Sequence, residues 1–272
     1  MPIHFQSITN DNQDSHIFAN IVGPVFDKAN SVAISSDKQH FIARSEMIDN
    51  TTGNVIGQYV FTVFNNAEKE FHELLDVDIT LEATVPTELH FLKKLSGSSD
   101  SNEYYEAETA YINQHLELET VNRYTVDGDI TDTTRFVYIS VFPFEATVYK
   151  NIKAFNKKIG FKKKHPIGKT PLTTSGLSET FISPGSIFSS QDNEKEHSSF
   201  LLGTVENFRD ISISVGDLTY SFVLVQAKTA LGIVPVAMGR DVFDLRKLRT
   251  GVIIGMRAYI KADLSKPEDW QR

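Results

Sequence analysis

The sequence predicts an α+β, β-rich fold, in which an antiparallel-sheet N-terminal domain is followed by a small C-terminal β-barrel. Side chains alternate with a period of two in segments 218–225 and 256–262, which places one set on a buried face and the other toward solvent. Turn-forming residues also separate apolar runs in the first half of the chain. Finally, 272 residues fit two domains better than one small core.

Residues 1–149 are predicted to form an acidic α+β domain built on hairpins. Segments 41–48 and 55–64 flank a turn-forming run and should pair, with the second strand apolar on both faces and therefore central. A second hairpin is expected between the strand that contains Leu116 and the strand 135–142.

Helices are expected at three places in this domain. One begins near Ser15, one is capped by Asn66, and one begins at Pro86, because apolar residues follow each start at intervals of three or four. Between the last two, Asp76 and Asp78 alternate with apolar residues, which predicts a strand with one solvated, acidic face.

Residues 150–198 are predicted to be a connector. Its first part is rich in lysine and the rest in Ser, Pro and Gly, without sustained periodicity. An unstructured segment of this length is rare inside a compact domain, so the domain boundary is placed here.

Residues 199–272 are predicted to form the barrel domain. The expected elements are three strands, a helix and a last strand, in the order 200–215, 218–228, 233–238, a helix from Asp241, and a strand after Gly251. This order resembles an OB barrel over residues 199–264, and the resemblance implies an OB-like β-barrel whose helix plugs the open end. Pro235 favours an edge position for its strand. No fifth strand follows Leu264, so the connector or the first domain would have to supply it.

The charge is unevenly distributed along the chain, whose net charge is -8. Residues 1–149 contain 8 Lys and Arg against 23 Asp and Glu, whereas residues 150–169 contain 8 Lys and no acidic residue. An acidic body repels nucleic acid and anionic surfaces. Any polyanion binding would therefore depend on the lysine-rich stretch.

The candidate binding residues are basic or aromatic, and they come from the connector and the last strand. They are Lys157, Lys158, Lys162, Lys163, Lys164, Arg257, Tyr259 and Lys261. Clustered ammonium groups attract a phosphate backbone, and an outward-facing tyrosine offers a stacking surface. The alternatives are a solvated linker and a solvated barrel face.

Neither a catalytic site nor a metal or cofactor site is predicted. Gly168-Lys169-Thr170 lacks the earlier glycine and the following helix of a phosphate-binding loop. An enzyme whose site is assembled from distant residues stays possible, and His72, His90, Asp76 and Asp78 are its candidates. Asp127, Asp129 and Asp132 could gather a calcium ion but fit a turn better.

The leading hypothesis is a non-enzymatic binding or adaptor protein whose partner is another protein. The alternative is binding of single-stranded nucleic acid or another polyanion through the lysine-rich connector and the OB-like barrel. The chain has no cysteine and therefore no disulfide, and no apolar run long enough for a membrane helix is seen. A cytoplasmic location without membrane attachment is expected.

Overall fold

The computed structural model describes residues 7–8, 23–35, 39–66, 71–96, 103–110, 112–123, 126, 128–159, 177–184 and 197–264. Within these ranges the chain forms thirteen β-strands, one α-helix and a short 3-10 turn at Phe26–Lys28. The strands form a four-stranded antiparallel sheet and a nine-stranded mixed sheet. The β-rich fold class is confirmed. No helix in the described ranges is long and apolar enough to cross a membrane.

The four-stranded sheet contains the first four strands in chain order. They are β1 (Asn30–Ile34), β2 (His40–Ile48), β3 (Val55–Asn66) and β4 (Phe71–Leu81). The predicted hairpin is confirmed as β2 and β3, and β3 is central as expected. Gly57 is needed because a Cβ there would lie 2.2 Å from the Thr80 carbonyl oxygen on β4.

The helix predicted from Asn66 is wrong, because β4 occupies its apolar residues; residues 67–70 lie outside the described ranges. Leu74 fits a helical face as well as a strand, but β3 offers β4 a ladder of ten residue pairs. Tertiary pairing therefore overrides the local pattern. The helix predicted from Ser15 falls mostly on residues outside the described ranges.

The nine-stranded sheet contains all the later strands. They are β5 (Thr87–Lys94), β6 (Glu103–Thr109), β7 (His115–Val121), β8 (Thr133–Tyr149), β9 (Ile182–Pro184), β10 (Ser199–Val215), β11 (Leu218–Thr229), β12 (Gly232–Gly239) and β13 (Ile253–Asp263). Helix α1 (Ile152–Ile159) follows β8. Part of the predicted connector is therefore regular structure.

Two further predictions for the first half are wrong. The helix expected from Pro86 is β5, which pairs with β6 and β8 and buries Leu89 and Phe91 on one face. The expected hairpin of β7 with β8 does not form, because β7 pairs with β6 and β13, whereas β8 pairs with β5, β12 and β13. β5 and β7 each combine a neighbour in the chain with a distant strand, and all three partners of β8 are distant in sequence.

The C-terminal strands agree with the prediction more closely. β10 is one long strand with an irregularity between Val205 and Asn207, and β11, β12 and β13 follow in the expected order. The helix predicted from Asp241 is wrong: residues 240–252 form turns, in which Phe243 and Leu245 are buried. Pro235 is accommodated because β12 has only one residue pair, Val236 with Val141, on its β8 side.

The pairings in the nine-stranded sheet form two closed circuits. The first circuit consists of five strands, each of which pairs with two others of the circuit: β10, β11, β12, β8 and β13. The second circuit also consists of five strands paired in this way: β5, β6, β7, β13 and β8. Each circuit has a three-strand meander, one parallel contact and the shared antiparallel pair β8–β13. The two halves of the sheet therefore repeat one pattern of pairing that the sequence does not reveal.

Strands from both sides of the predicted domain boundary share this sheet. β8 lies in residues 1–149 and β13 in residues 199–272, and eleven residue pairs join them. The division into two domains stays a prediction, and this long ladder counts against it.

The four-stranded sheet packs on the nine-stranded sheet through both of its faces. One face is apolar: Phe61 and Ile79 join a core with Ile213 and Phe222 of the β10–β11 hairpin. The other face carries Arg44, Asp76 and Asp78, which are buried against β7 and β13. The prediction that the acidic face of β4 is solvated is therefore wrong.

Candidate functional site

The described lysines of the predicted connector lie on α1. Lys157 and Lys158 occupy its last turn and are exposed, whereas Lys162, Lys163 and Lys164 lie outside the described residues. Asn151 begins the helix, since its Oδ1 accepts a hydrogen bond from the Ala154 backbone N–H at 2.9 Å.

Packing of one aromatic side chain holds α1 against the sheet. Phe155 is buried, and its ring contacts Tyr149 edge-on with the centroids 5.1 Å apart. It also contacts Gly255 on β13, where a Cβ would lie 3.2 Å from Phe155. Because Phe155 faces inward, Lys157, two residues later, lies on the opposite side of the helix, whereas Lys158, three residues later, stays near the side of Phe155 and Tyr149.

A cavity of about 590 Å³ lies between α1 and the end of the β8–β13 pair. We call this cavity the basic cleft. Tyr149 and four cationic side chains line it, and these cations are Lys150, Lys158, Lys247 and Arg249. The remaining lining residues among those that the structure describes are Thr147, Val148, Ala154 and Val252, and none of the nine described lining residues has a carboxylate. The cleft therefore concentrates positive charge beside an aromatic ring.

The four cations of the cleft are exposed. In the part of the chain that the structure describes, none of Lys150, Lys158, Lys247 and Arg249 forms an ion pair. Lys158 Nζ lies 5.5 Å from the centre of the Tyr149 ring, a cation–π contact. Arg246, in the same loop as Lys247, instead forms an ion pair with Asp244, in which Nη2 and Oδ2 are 2.8 Å apart.

Sequence reasoning missed Lys247 and Arg249. The signal was present, since residues 246–249 read Arg-Lys-Leu-Arg. These residues were assigned to a helix that does not form, and nothing local places them beside α1. The loop reaches α1 because Val252 leads directly into β13, whose Ile253 pairs with Tyr149.

The three candidates from the last strand share one face of β13, but this face is covered. Arg257 is 8% exposed and Lys261 is 0% exposed, so the expectation that they face solvent is wrong. Arg257 Nη1 lies 3.3 Å from Glu145 Oε1, and Tyr259 is half-buried against Phe144. Alternation gave the shared face correctly, but it could not reveal that β4 lies over the part of it that carries Lys261.

Lys261 belongs to a buried ion network between the two sheets, which we define as Arg44, Asp76, Asp78, Glu119, Lys261 and Asp263. Lys261 Nζ donates a hydrogen bond to Asp78 Oδ1 and lies 3.9 Å from Glu119 Oε2. Arg44 Nη2 donates to both carboxylate oxygens of Asp263, at 3.0 and 2.8 Å. All six residues are buried.

Burial and mutual repulsion change the pKa values in this network. Burial raises the pKa of Asp78 to about 8, against the opposing effect of Lys261. Burial likewise raises the pKa of Asp76 to about 6. Burial alone would lower the pKa of Lys261, but the carboxylates of Asp78 and Glu119 raise it above its ordinary value.

The residues of the enzyme alternative have separate surroundings. Asp76 and Asp78 face Lys261, whereas the polar contact of His90 is Thr134 Oγ1 on β8, at 3.2 Å from Nδ1. The side chain of His72 lies outside the described part of the structure.

The calcium alternative also lacks support from the described residues. Asp127 is not among them, and Asp129 Oδ1 accepts hydrogen bonds from the backbone N–H and the hydroxyl of Thr131. Within the described ranges, no group of three His, Cys, Asp or Glu residues is arranged to hold a metal ion.

Comparisons of the chain with protein-family models, with curated proteins and with solved structures returned no match. Function is therefore inferred from the geometry and charge of the basic cleft.

Proposed function

We propose that this is a non-enzymatic binding protein whose basic cleft holds a polyanion, with single-stranded nucleic acid as the expected ligand. The observation that carries the proposal is the convergence of Lys150, Lys158, Lys247 and Arg249 from three chain segments. Like charges repel, so such a grouping, with no acidic partner among the described residues, favours an anionic ligand that releases counterions on binding.

Tyr149 supports a nucleic acid over a simple anion. Its ring is half-buried, and its edge-on contact with Phe155 fixes its position in the cleft. An aromatic ring beside lysines provides both a stacking surface for a base and cations for the flanking phosphates. Lys158 already lies over this ring, so a base that stacks on Tyr149 would either replace this cation–π contact or add to it.

The strand circuits support an OB-like barrel as part of the proposal. In the circuit of β10, β11, β12, β13 and β8, the upstream strand β8 supplies the fifth strand. OB barrels are five-stranded and bind oligonucleotides or oligosaccharides. The basic cleft lies at the end of the β8–β13 pair, which both circuits share.

The test is fluorescence anisotropy of a labelled single-stranded oligonucleotide. Four phosphate contacts predict that the affinity falls roughly 50-fold as salt rises from about 50 to 200 mM. Changing Lys150, Lys158, Lys247 and Arg249 together to Ala should abolish binding at low salt. Changing Lys28, Arg209 and Lys228, exposed cations on other elements, to Ala should leave most of the affinity. Absence of binding at low salt by the wild type would refute the proposal.

A protein partner is the second candidate, and exposed apolar side chains favour it. Val85, Phe136 and Ile233 are 64%, 65% and 48% exposed. Contacts between the segments that carry them connect the three residues. Phe136 pairs with Glu88, three residues after Val85, and Thr87 Oγ1 donates a hydrogen bond to the Leu231 carbonyl, two residues before Ile233, at 2.7 Å. Exposed apolar groups of this kind are typical of protein interfaces.

This second candidate is tested by affinity capture with quantitative mass spectrometry. A specific partner should be captured by the wild type and by the cleft variant, and lost when Phe136 and Ile233 are changed to Ser. Capture that is equal for all three proteins would argue against an interface at these residues.

A further inference from the structure

The buried ion network joins elements from both sheets. Asp76 and Asp78 come from β4 and Arg44 from β2, whereas Glu119 comes from β7 and Lys261 and Asp263 come from β13. Lys261 and Glu119 are register partners in the β7–β13 ladder, so both lie over β4. The network is therefore the polar part of the contact between the sheets.

Neutral side chains add hydrogen bonds to the Arg44–Asp263 half of the network. Arg44 Nη1 donates to Gln58 Oε1 at 2.5 Å, and Asn122 Nδ2 donates to Asp263 Oδ1 at 2.7 Å. This half contains one cation and one carboxylate, which balance each other. Charge-assisted hydrogen bonds of this kind are stronger than those between neutral groups.

The Lys261 half contains more acidic than basic groups among the described residues. Lys261 faces three carboxylates, those of Asp76, Asp78 and Glu119, while Arg257 and the phenol of Tyr259 lie on the same face of β13. The Oδ2 atom of Asp76 is buried and has no hydrogen-bond partner among the residues that the structure describes. Because an uncompensated buried charge is costly, this half favours uptake of a proton.

We infer that the Lys261 half of the network is a proton-dependent latch, which holds the four-stranded sheet on the nine-stranded sheet when its carboxylates share a proton. Loss of that proton leaves an additional buried negative charge between the sheets, and the carboxylates then repel one another across the junction. The latch therefore weakens as the pH rises.

The direction of this effect follows from the pKa values. The pKa of Asp78 is raised to about 8 from its ordinary 3.8, so the folded state binds more protons than the unfolded state between these values. Stability must then fall as the pH rises through this range. Asp76, with a pKa of about 6, adds to the loss in the lower part of the range. Lys261 acts only at higher pH, because its pKa is raised.

The latch is tested by measuring urea unfolding of the full chain from pH 6 to pH 8. Asp78 alone should raise the unfolding equilibrium constant by up to roughly tenfold per pH unit. Asp78→Asn, which copies the protonated carboxyl, should show a smaller slope, and the exposed control Asp217→Asn should keep the slope of the wild type. Equal slopes for the wild type and Asp78→Asn would overturn the inference.

A spectroscopic measurement covers the case in which Asp78→Asn does not fold. The infrared spectrum of the wild-type protein at pH 7 should contain the carbonyl band of a buried protonated carboxylic acid. Raising the pH above the pKa of Asp78 should remove this band. Its absence at pH 7, where exposed carboxyls are ionised, would also overturn the inference.

Discussion

Lys261 on β13 donates a hydrogen bond to Asp78 on β4, and both side chains are buried between the two sheets. The polar face of the last strand therefore meets the acidic face of β4 instead of solvent. Two patterns that each indicate a solvated face in the sequence are complementary in space. This contact explains how a lysine without solvent exposure is tolerated in the core.

Removal of the Lys261 charge is predicted to destabilise the protein strongly. Lys261→Met leaves Asp78, Asp76 and Glu119 without their cation, and breaking a buried pair in this way costs about 3–5 kcal/mol. The free energy of unfolding from urea titration measures the loss. The exposed control Lys228→Met should change stability by less than about 0.5 kcal/mol.

A compensating variant separates loss of charge balance from loss of packing. Lys261→Met combined with Asp78→Leu removes both members of the hydrogen-bonded pair and should recover part of the lost stability. A double variant no more stable than Lys261→Met would show that the pair does not govern this junction.

The C-terminal segment is predicted not to fold when it is separated from the rest of the chain. In a fragment of residues 199–272, β13 loses its eleven pairs with β8, and β12 loses its contact with the same strand. Thermal melting followed by circular dichroism should show no cooperative transition, whereas the full chain should melt cooperatively. A cooperative melt of the fragment would favour the two-domain division instead.

Phe155→Ala is predicted to release α1 without changing the charge of the protein. Its ring is the buried contact of the helix with Tyr149 and Gly255, and removal of a buried Phe costs about 3–5 kcal/mol. Amide hydrogen exchange of α1 should increase, and the salt slope of nucleic-acid binding should fall by ~0.7, the share of Lys158. Phe208→Ala, at a partly exposed position on β10, is the matched control.

The strands whose own alternation is clear could be predicted. The β2–β3 hairpin and the meander of β10, β11 and β12 are joined by short turns, and each shows its alternation directly. Prediction failed where the local pattern is ambiguous: β4 and β5 contain leucines at helical spacing, and only pairing with β3 for β4, and with β6 and β8 for β5, selects the extended form.

The candidate site was predictable only in part, for a related reason. Lys157 and Lys158 were visible as a run of charge, but Lys247 and Arg249 join the cleft through the β8–β13 ladder, which connects residues about one hundred positions apart. The burial of Lys261 depends on β4, which is even further away in sequence. No local pattern carries information about such contacts.

The salt dependence of single-stranded DNA binding tests the central proposal most directly. Lys247→Ala with Arg249→Ala removes two cleft cations, so the slope of log affinity against log salt should fall by ~1.4 relative to the wild type. Lys28→Ala with Lys228→Ala removes two exposed cations from other elements and should leave the slope unchanged. An equal change of slope in both double variants would contradict a specific basic cleft.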